Sequence, residues 1–173
     1  MKRIAEFEKV SFGEFRKAMQ GYDETLGEDA VRRIYDGITL PVRATAGSAG
    51  YDFRAPFGFE VRPGKEIRIP SGIRAKIDNG YVLMVFPRSS LGFKYRFQLD
   101  NTVGIIDSDY YHADNEGHIF LKMINDSRED KTVCVKAGAG FAQGIFLPFG
   151  ITADDDVSDA RTGGFGSTDK KEV

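Results

Sequence analysis

Turn signals recur at short spacing through the middle of the chain, and that spacing limits the fold more than any other feature. Ala46-Gly-Ser-Ala-Gly50, Arg62-Pro-Gly-Lys65, Pro70-Ser-Gly72, Asp78-Asn-Gly80, Asn115-Glu-Gly117 and Lys136-Ala-Gly138 punctuate the sequence after Ile38. Gly, Pro, Asn and Asp in such clusters set turn geometry. Short apolar or alternating runs lie between them: Phe57 to Val61, Glu66 to Ile69, Ile73 to Ile77, Tyr81 to Phe86, His118 to Ile124, Thr132 to Val135 and Gly144 to Leu147. Many short strands at this spacing predict an all-β barrel or double-sheet jelly roll. The βαβ alternation of a parallel α/β sheet, about 30 residues per unit, is not present.

The two ends differ from this middle. Ser11-Phe-Gly-Glu14 has the capping-box pattern, with Ser11 as N-cap and Glu14 at the third helical position. Phe12, Phe15 and Met19 then share a helical face, and Gly21 follows as a stop. A second short helix is expected from Glu28 to Tyr35, with Val31, Ile34 and Tyr35 on one side and Gly37 at its end. Short helices are marginal alone, so both need a surface to pack on. Residues 1–36 are therefore read as a helical N-terminal appendage and 37–150 as the β core. Residues 151–173, polar, acidic and then glycine-rich, are read as a flexible C-terminal arm.

Composition excludes several classes of function. A chain of 173 residues with 41% hydrophobic and 29% charged residues is expected to be one ordinary globular domain. A net charge of -2 argues against direct DNA binding but leaves room for a small anionic substrate at a local positive site. The single Cys134 cannot form an internal disulfide and suits a reducing cytoplasm. One cysteine and two histidines make a structural zinc site a poor expectation. Charge interrupts the start Met-Lys-Arg-Ile-Ala-Glu before any apolar signal region forms. No run is apolar for long enough to span a bilayer, so no membrane association is expected.

Five stretches carry residue types suited to chemistry. In Asn101-Thr-Val-Gly-Ile-Ile-Asp107-Ser-Asp-Tyr110, Val103, Ile105 and Ile106 read as a strand end. Asp107 then stands where the strand leaves the core, half shielded from water. Such a carboxylate can act as a general base toward a water within hydrogen-bond reach. Asp-Ser-Asp is equally ordinary turn chemistry. Asp52, in Ala46 to Pro56, follows a glycine-rich loop and is expected to cap backbone N–H groups there. Pro87-Arg88-Ser89-Ser90-Leu91-Gly92 places a bidentate guanidinium beside two hydroxyls, which suits a phosphate oxyanion or, more plainly, a surface turn. Ala137 to Gly144 lets backbone approach a ligand and carries Gln143, though a tight hairpin has the same composition. Arg161 to Thr168 joins an arginine, Phe165 and two hydroxyls in a glycine-rich tail able to close over an anionic ligand, and the bland reading is a plain tail. No P-loop or Gly-x-Gly-x-x-Gly pattern is present.

Taken in order, these stretches resemble the trimeric dUTPase family (deoxyuridine triphosphate nucleotidohydrolase), over about Leu40 to Thr168. Ala49 to Ala55, Pro87 to Gly92, Asn101 to Tyr110, Ala142-Gln143 and Gly164 to Thr168 stand for its five motifs. The chain departs from the pattern at Gly140, where the family usually has arginine. The loop after Tyr110 is longer, with His112 at the usual glycine and Gly117 only later. One residue fewer than usual separates Arg161 from Phe165, and residues 1–36 lie outside the resemblance.

The resemblance implies a β jelly-roll subunit in a homotrimer with shared active sites, converting dUTP and water to dUMP and pyrophosphate. It implies that Asp107 activates the water. Arg88, Ser89, Ser90 and Gln143 would hold the phosphates, and Asn101 with the backbone about Gly104 would read uracil. Tyr110 would pack on the deoxyribose. Arg161 with Phe165, Gly166 and Ser167 would close the site. Mg²⁺ would be held mainly by phosphates and water rather than by protein ligands. Two alternatives stand beside it. A dCTP deaminase shares the fold, but the place of its catalytic glutamate holds Lys122. A nucleotide-binding regulator, acting on a protein partner through residues 1–36, keeps a second role open.

Overall fold

The computed structural model describes residues 2–157. Their elements run β1 (Ala5–Lys9), α1 (Phe12–Gln20), α2 (Glu28–Gly37), β2 (Val42–Arg43), β3 (Tyr51–Arg54), β4 (Phe59–Val61), β5 (Glu66–Pro70) and β6 (Ile73–Ile77). Then come β7 (Tyr81–Pro87), α3 (Ser89–Tyr95), β8 (Phe97–Leu99), β9 (Gly104–Ile106), a 3-10 helix (Ser108–His112), β10 (Phe120–Asn125), β11 (Val133–Val135) and β12 (Gly140–Pro148). Every ladder is antiparallel. The strands form an all-β jelly roll of four sheets, not joined into one closed barrel: β2-β3-β12-β7-β9, β5-β10-β8, β1-β6 and β11-β4.

Alternation along the strands places the core. On β7, Leu83 and Val85 are fully buried while Val82, Met84 and Phe86, which alternate with them, are only partly so. Phe53, Phe97, Leu121, Met123 and Phe141 join them, and Phe59 meets Phe141 edge-on at 5.8 Å. The expected runs all contain strands, with ends shifted by a few residues. The glycine-rich stretch Ala137 to Gly144 runs into a strand, β12 beginning at Gly140.

The reading of residues 1–36 as a helical appendage needs two corrections. First, β1 is a strand paired with β6. Its glutamates do not prevent pairing, because Glu8 and Glu6 stand opposite Arg74 and Lys76 in the ladder. The Arg74 Nη2 and Nε donate to Glu8 Oε2 at 2.6 and 3.0 Å. Opposite charges directly across a ladder support pairing. Second, the helices do not hang off the core but belong to it. Phe7, Val10, Phe15, Met19 and Val31 are buried in the same cluster as the sheet residues.

Both helices otherwise lie close to where the sequence puts them. Ser11 Oγ accepts from Glu14 N at 3.2 Å, half of the expected capping box. The other half is made by a distant residue. Ser11 N donates to Glu116 Oε2 at 2.7 Å, and the Glu14 carboxylate turns instead to His118 Nδ1 at 3.3 Å. Glu28 and Asp29 open α2, where acidic side chains complement the helix dipole.

Candidate active site

Strand β12 gathers three of the five stretches. In its ladders Gln143 stands opposite Asp52 on β3 and opposite Phe86 on β7. Directly opposed residues share a face, so Asp52, Gln143 and Phe86 form one row. Arg88 follows two residues later, at the head of α3. Its Nε lies 3.3 Å from Asp52 Oδ1, and Gln143 Nε2 donates to Pro87 O at 3.2 Å. Asp52 therefore faces Arg88 rather than filling the loop-cap role expected of it. Ser89 and Ser90 are exposed in the first turn of α3, not in a turn without helix. These side chains line a cavity of about 510 Å³ together with Ser48 and Gly50.

Gly140 is part of this arrangement. A Cβ there would stand 2.6 Å from Arg88 Nη1 and 3.2 Å from its Cδ. The guanidinium occupies space that any side chain at 140 would claim.

A second cavity, of about 310 Å³, is lined by Asn101, Gly104, Val85, Leu99, Phe120 and Lys122, among others. Its walls are largely apolar, with Asn101 at a tight turn where Thr102 N donates to Leu99 O at 3.0 Å. Arg68 lies over the Phe120 ring at 4.1 Å and also lines the cavity. Sequence reading missed both residues, because β5 and β10 carry no motif. Lys122 bonds Asp100 and Glu66, each at 2.8 Å, and those bonds raise its pKa. A lysine so committed cannot serve as a catalytic carboxylate would.

The two cavities open from opposite faces of the same sheet. Val85 stands opposite Gly104 on β9 and Gly144 on β12, one residue out of step with the Phe86–Gln143 row. Among the described residues none lines both cavities. On the outer face, next to the Asp52–Gln143 row, Ile145, Met84 and Ile105 stand opposite one another in a further row. Ile105 is 49% exposed, and Leu147, opposite Val82, is 40% exposed.

Asp107 follows β9 directly and is the N-cap residue of the 3-10 helix. It is exposed, not half shielded as expected, since the chain turns outward after the buried Ile106. Tyr110 lies one turn on, with Tyr110 N donating to Asp107 O at 3.3 Å. The residue is 2% exposed and lines neither cavity, and its hydroxyl donates to His118 O at 2.7 Å. His118 is wholly buried, and Gly72 N donates to its Nε2 at 2.9 Å. Burial pushes the His118 pKa down to about 3, helped by the charge of Arg68. Protonating Nε2 would also break the Gly72 bond, so the ring is neutral with its proton on Nδ1 toward Glu14. Arg161, Phe165, Gly166 and Ser167 lie outside the described residues.

The sequence profile of the dUTPase family matches residues 36–169. The chain belongs to the dUTPase family. The deoxyuridine 5'-triphosphate nucleotidohydrolase of Lactococcus lactis subsp. lactis (strain IL1403) is 44% identical over 136 residues, 76% of this chain and 89% of that protein. The dUTPase of Streptococcus mutans, solved as a crystal structure, superposes with a TM-score of 0.62 at 35% identity, covering 84% of this chain and 97% of that one. A mutant dUTPase from phage phi11 of S. aureus, whose structure describes a structural Mg(II) ion, matches with a TM-score of 0.63. At 16% identity over 91% of this chain and 98% of that one, it speaks for the fold alone. Two of the four departures of this chain from the family pattern, the N-terminal segment and the long loop after Tyr110, touch each other through Ser11 and Glu116.

Proposed function

We infer that this chain is a dUTP diphosphatase, hydrolysing dUTP to dUMP and pyrophosphate and so limiting uracil incorporation into DNA. The observation that carries this reading is the row Asp52–Gln143 with Arg88 beside it, at the positions of three family motifs, while Asp107 directly follows β9 at a fourth. Arg88 supplies planar donors, and the Ser89 and Ser90 hydroxyls and first-turn N–H groups add more, for the phosphates. Asp52 holds the guanidinium in place. Gln143 completes the phosphate contacts. Asn101 and the backbone near Gly104 read the uracil edge within the smaller cavity. Tyr110, buried at 2% exposure, lies under the deoxyribose and backs its pocket, and Asp107 orients and deprotonates the water that attacks the α-phosphorus. Arg161, Phe165, Gly166 and Ser167 close over phosphates and base.

The donors of the larger cavity are chiefly cationic, hydroxyl and amide groups, with Asp52 turned to Arg88. Such a set suits an anion rather than a bare cation. It fits a Mg²⁺ that is held by the substrate's phosphates and water. When bound, that ion neutralises charge on the departing pyrophosphate.

The active sites are shared in a homotrimer. The two cavities lie on opposite faces of one sheet, so a complete site needs a second copy to bring them together. The outer-face row of exposed Ile105 with the partly buried Met84 and Ile145 offers an apolar contact surface for it. The free, exposed Cys134 suits a reducing cytoplasm.

Asp107→Asn tests the assignment. The variant is expected to stay folded and bind a non-hydrolysable dUTP analogue, while pyrophosphate release from dUTP falls by ~10²–10⁴. Near-parental turnover would show that another group is the base.

A further inference from the structure

Tyr110 is held by a device that reaches back to the N-terminal helix. Its hydroxyl donates to His118 O and accepts from Asn115 Nδ2, both at 2.7 Å. Asn115 belongs to the long loop after Tyr110, and that loop is fastened from outside. Ser11 N and Ser11 Oγ donate to the two carboxylate oxygens of Glu116 at 2.7 and 2.6 Å. Bonds to a carboxylate are the stronger kind.

The loop also stores backbone strain. Glu116, not a glycine, sits at φ 57 and Gly117 at φ 71. A non-glycine residue in the left-handed region persists only where its surroundings fix it, and the Ser11 clamp does that here. At Gly117 a Cβ would stand 2.8 Å from Tyr110 O, so the loop folds back tightly on the tyrosine. Tyr111, next in the chain, is fixed as well, its hydroxyl donating to Glu8 Oε2 at 2.8 Å. Helix α1 and the long loop thus close as one unit around Tyr110.

We propose that Asn115 is a positioning residue for Tyr110, and that the Ser11–Glu116 clamp holds Asn115 in place. Through it the N-terminal helix sets how sharply the enzyme separates 2'-deoxyribonucleotides from ribonucleotides. The inference rests on the reading that Tyr110, itself 2% exposed, lies under the deoxyribose and backs its pocket. A ring that must leave no room for a 2'-hydroxyl discriminates only if its position is held to a fraction of an ångström. Asn115 fixes the phenol by its oxygen, and Glu116 fixes the loop that carries Asn115.

The test is a double-mutant cycle read as the ratio of kcat/KM for dUTP to that for UTP. Asn115→Ala should lower the ratio by ~5–10-fold, the effect of one hydrogen bond. In a Tyr110→Phe background, which removes the oxygen that Asn115 bonds, the same change should alter the ratio by less than ~2-fold. Glu116→Ala should lower the ratio in the same direction by a smaller factor. A merely structural defect would depress both substrates together and leave the ratio alone. Should Asn115→Ala fail to fold, Asn115→Asp keeps the size, lacks the donor and is expected to give the same result. An unchanged ratio in an enzyme that still hydrolyses dUTP, or an equal drop in both backgrounds, would overturn the inference and leave the functional reading intact. A parent protein that releases no pyrophosphate from dUTP would instead overturn both.

Discussion

The N-terminal segment and the five-stranded sheet fix their side chains by different kinds of bond. In the sheet, Asp52, Gln143 and Phe86 come together because main-chain ladders set their register, and the same ladders put Val85 and Gly104 on the opposite face. Around α1, side chains reach across the sequence to one another: Ser11 to Glu116, Glu14 to His118, Tyr111 to Glu8. The first region is partly open, with Arg88 39% exposed beside Asp52. The second is closed, with Phe15, Met19 and His118 fully buried. The contrast separates two tasks. A site that must admit and release a charged substrate is built on ladder-fixed residues with exposed tips. A segment that only braces the site can afford to be buried.

Global stability and phosphate binding should therefore respond separately to changes in the two regions. The largest stability effect is expected at Phe15, which packs against Tyr35 at 5.7 Å and His118 at 6.3 Å between ring centres. Phe15→Ala should cost ~3–5 kcal/mol in urea unfolding, as other buried aromatic truncations do. A true appendage would lose its helix without disturbing the core, and a change under about 0.5 kcal/mol would return residues 1–36 to that status. A smaller and different effect is expected at Gly140. A methyl group there must push the Arg88 guanidinium away from Asp52. Gly140→Ala should leave Tm nearly unchanged and raise KM for dUTP by ~3–10-fold, the size of one weakened charge-assisted bond. An unaltered KM would mean that Arg88 reaches the phosphates equally well from another rotamer.

What the sequence made legible follows the same line. Strands β5, β6, β7 and β10 were readable because their apolar runs and bounding turns are local signals. The order of the motif stretches was readable too, because ladders act on local segments. Strand β1 was not: its glutamates look solvated until Arg74 and Lys76 are placed opposite them. The capping box of α1 was half readable, since Ser11 caps Glu14 N locally while the reciprocal acceptor is Glu116, 105 residues away. Asp52 was misread as a loop cap because its partner Arg88 lies two strands across the sheet. Arg68 over Phe120 gave no signal at all, being a strand residue whose importance lies only in what it faces.

The claim on which most rests is that one complete site takes residues from two copies of the chain. It can be tested by mixing two defective subunits, one Arg88→Ala and one Asp107→Asn, co-expressed and purified as a single assembly. Each variant alone is expected to be nearly inactive. In a mixed trimer, Asp107 from the first variant can meet Arg88 from the second, so random assembly should restore roughly a quarter of parental pyrophosphate release. Activity no higher than the sum of the two separate variants, in an assembly shown by mass to contain both, would mean that each chain holds a whole site by itself.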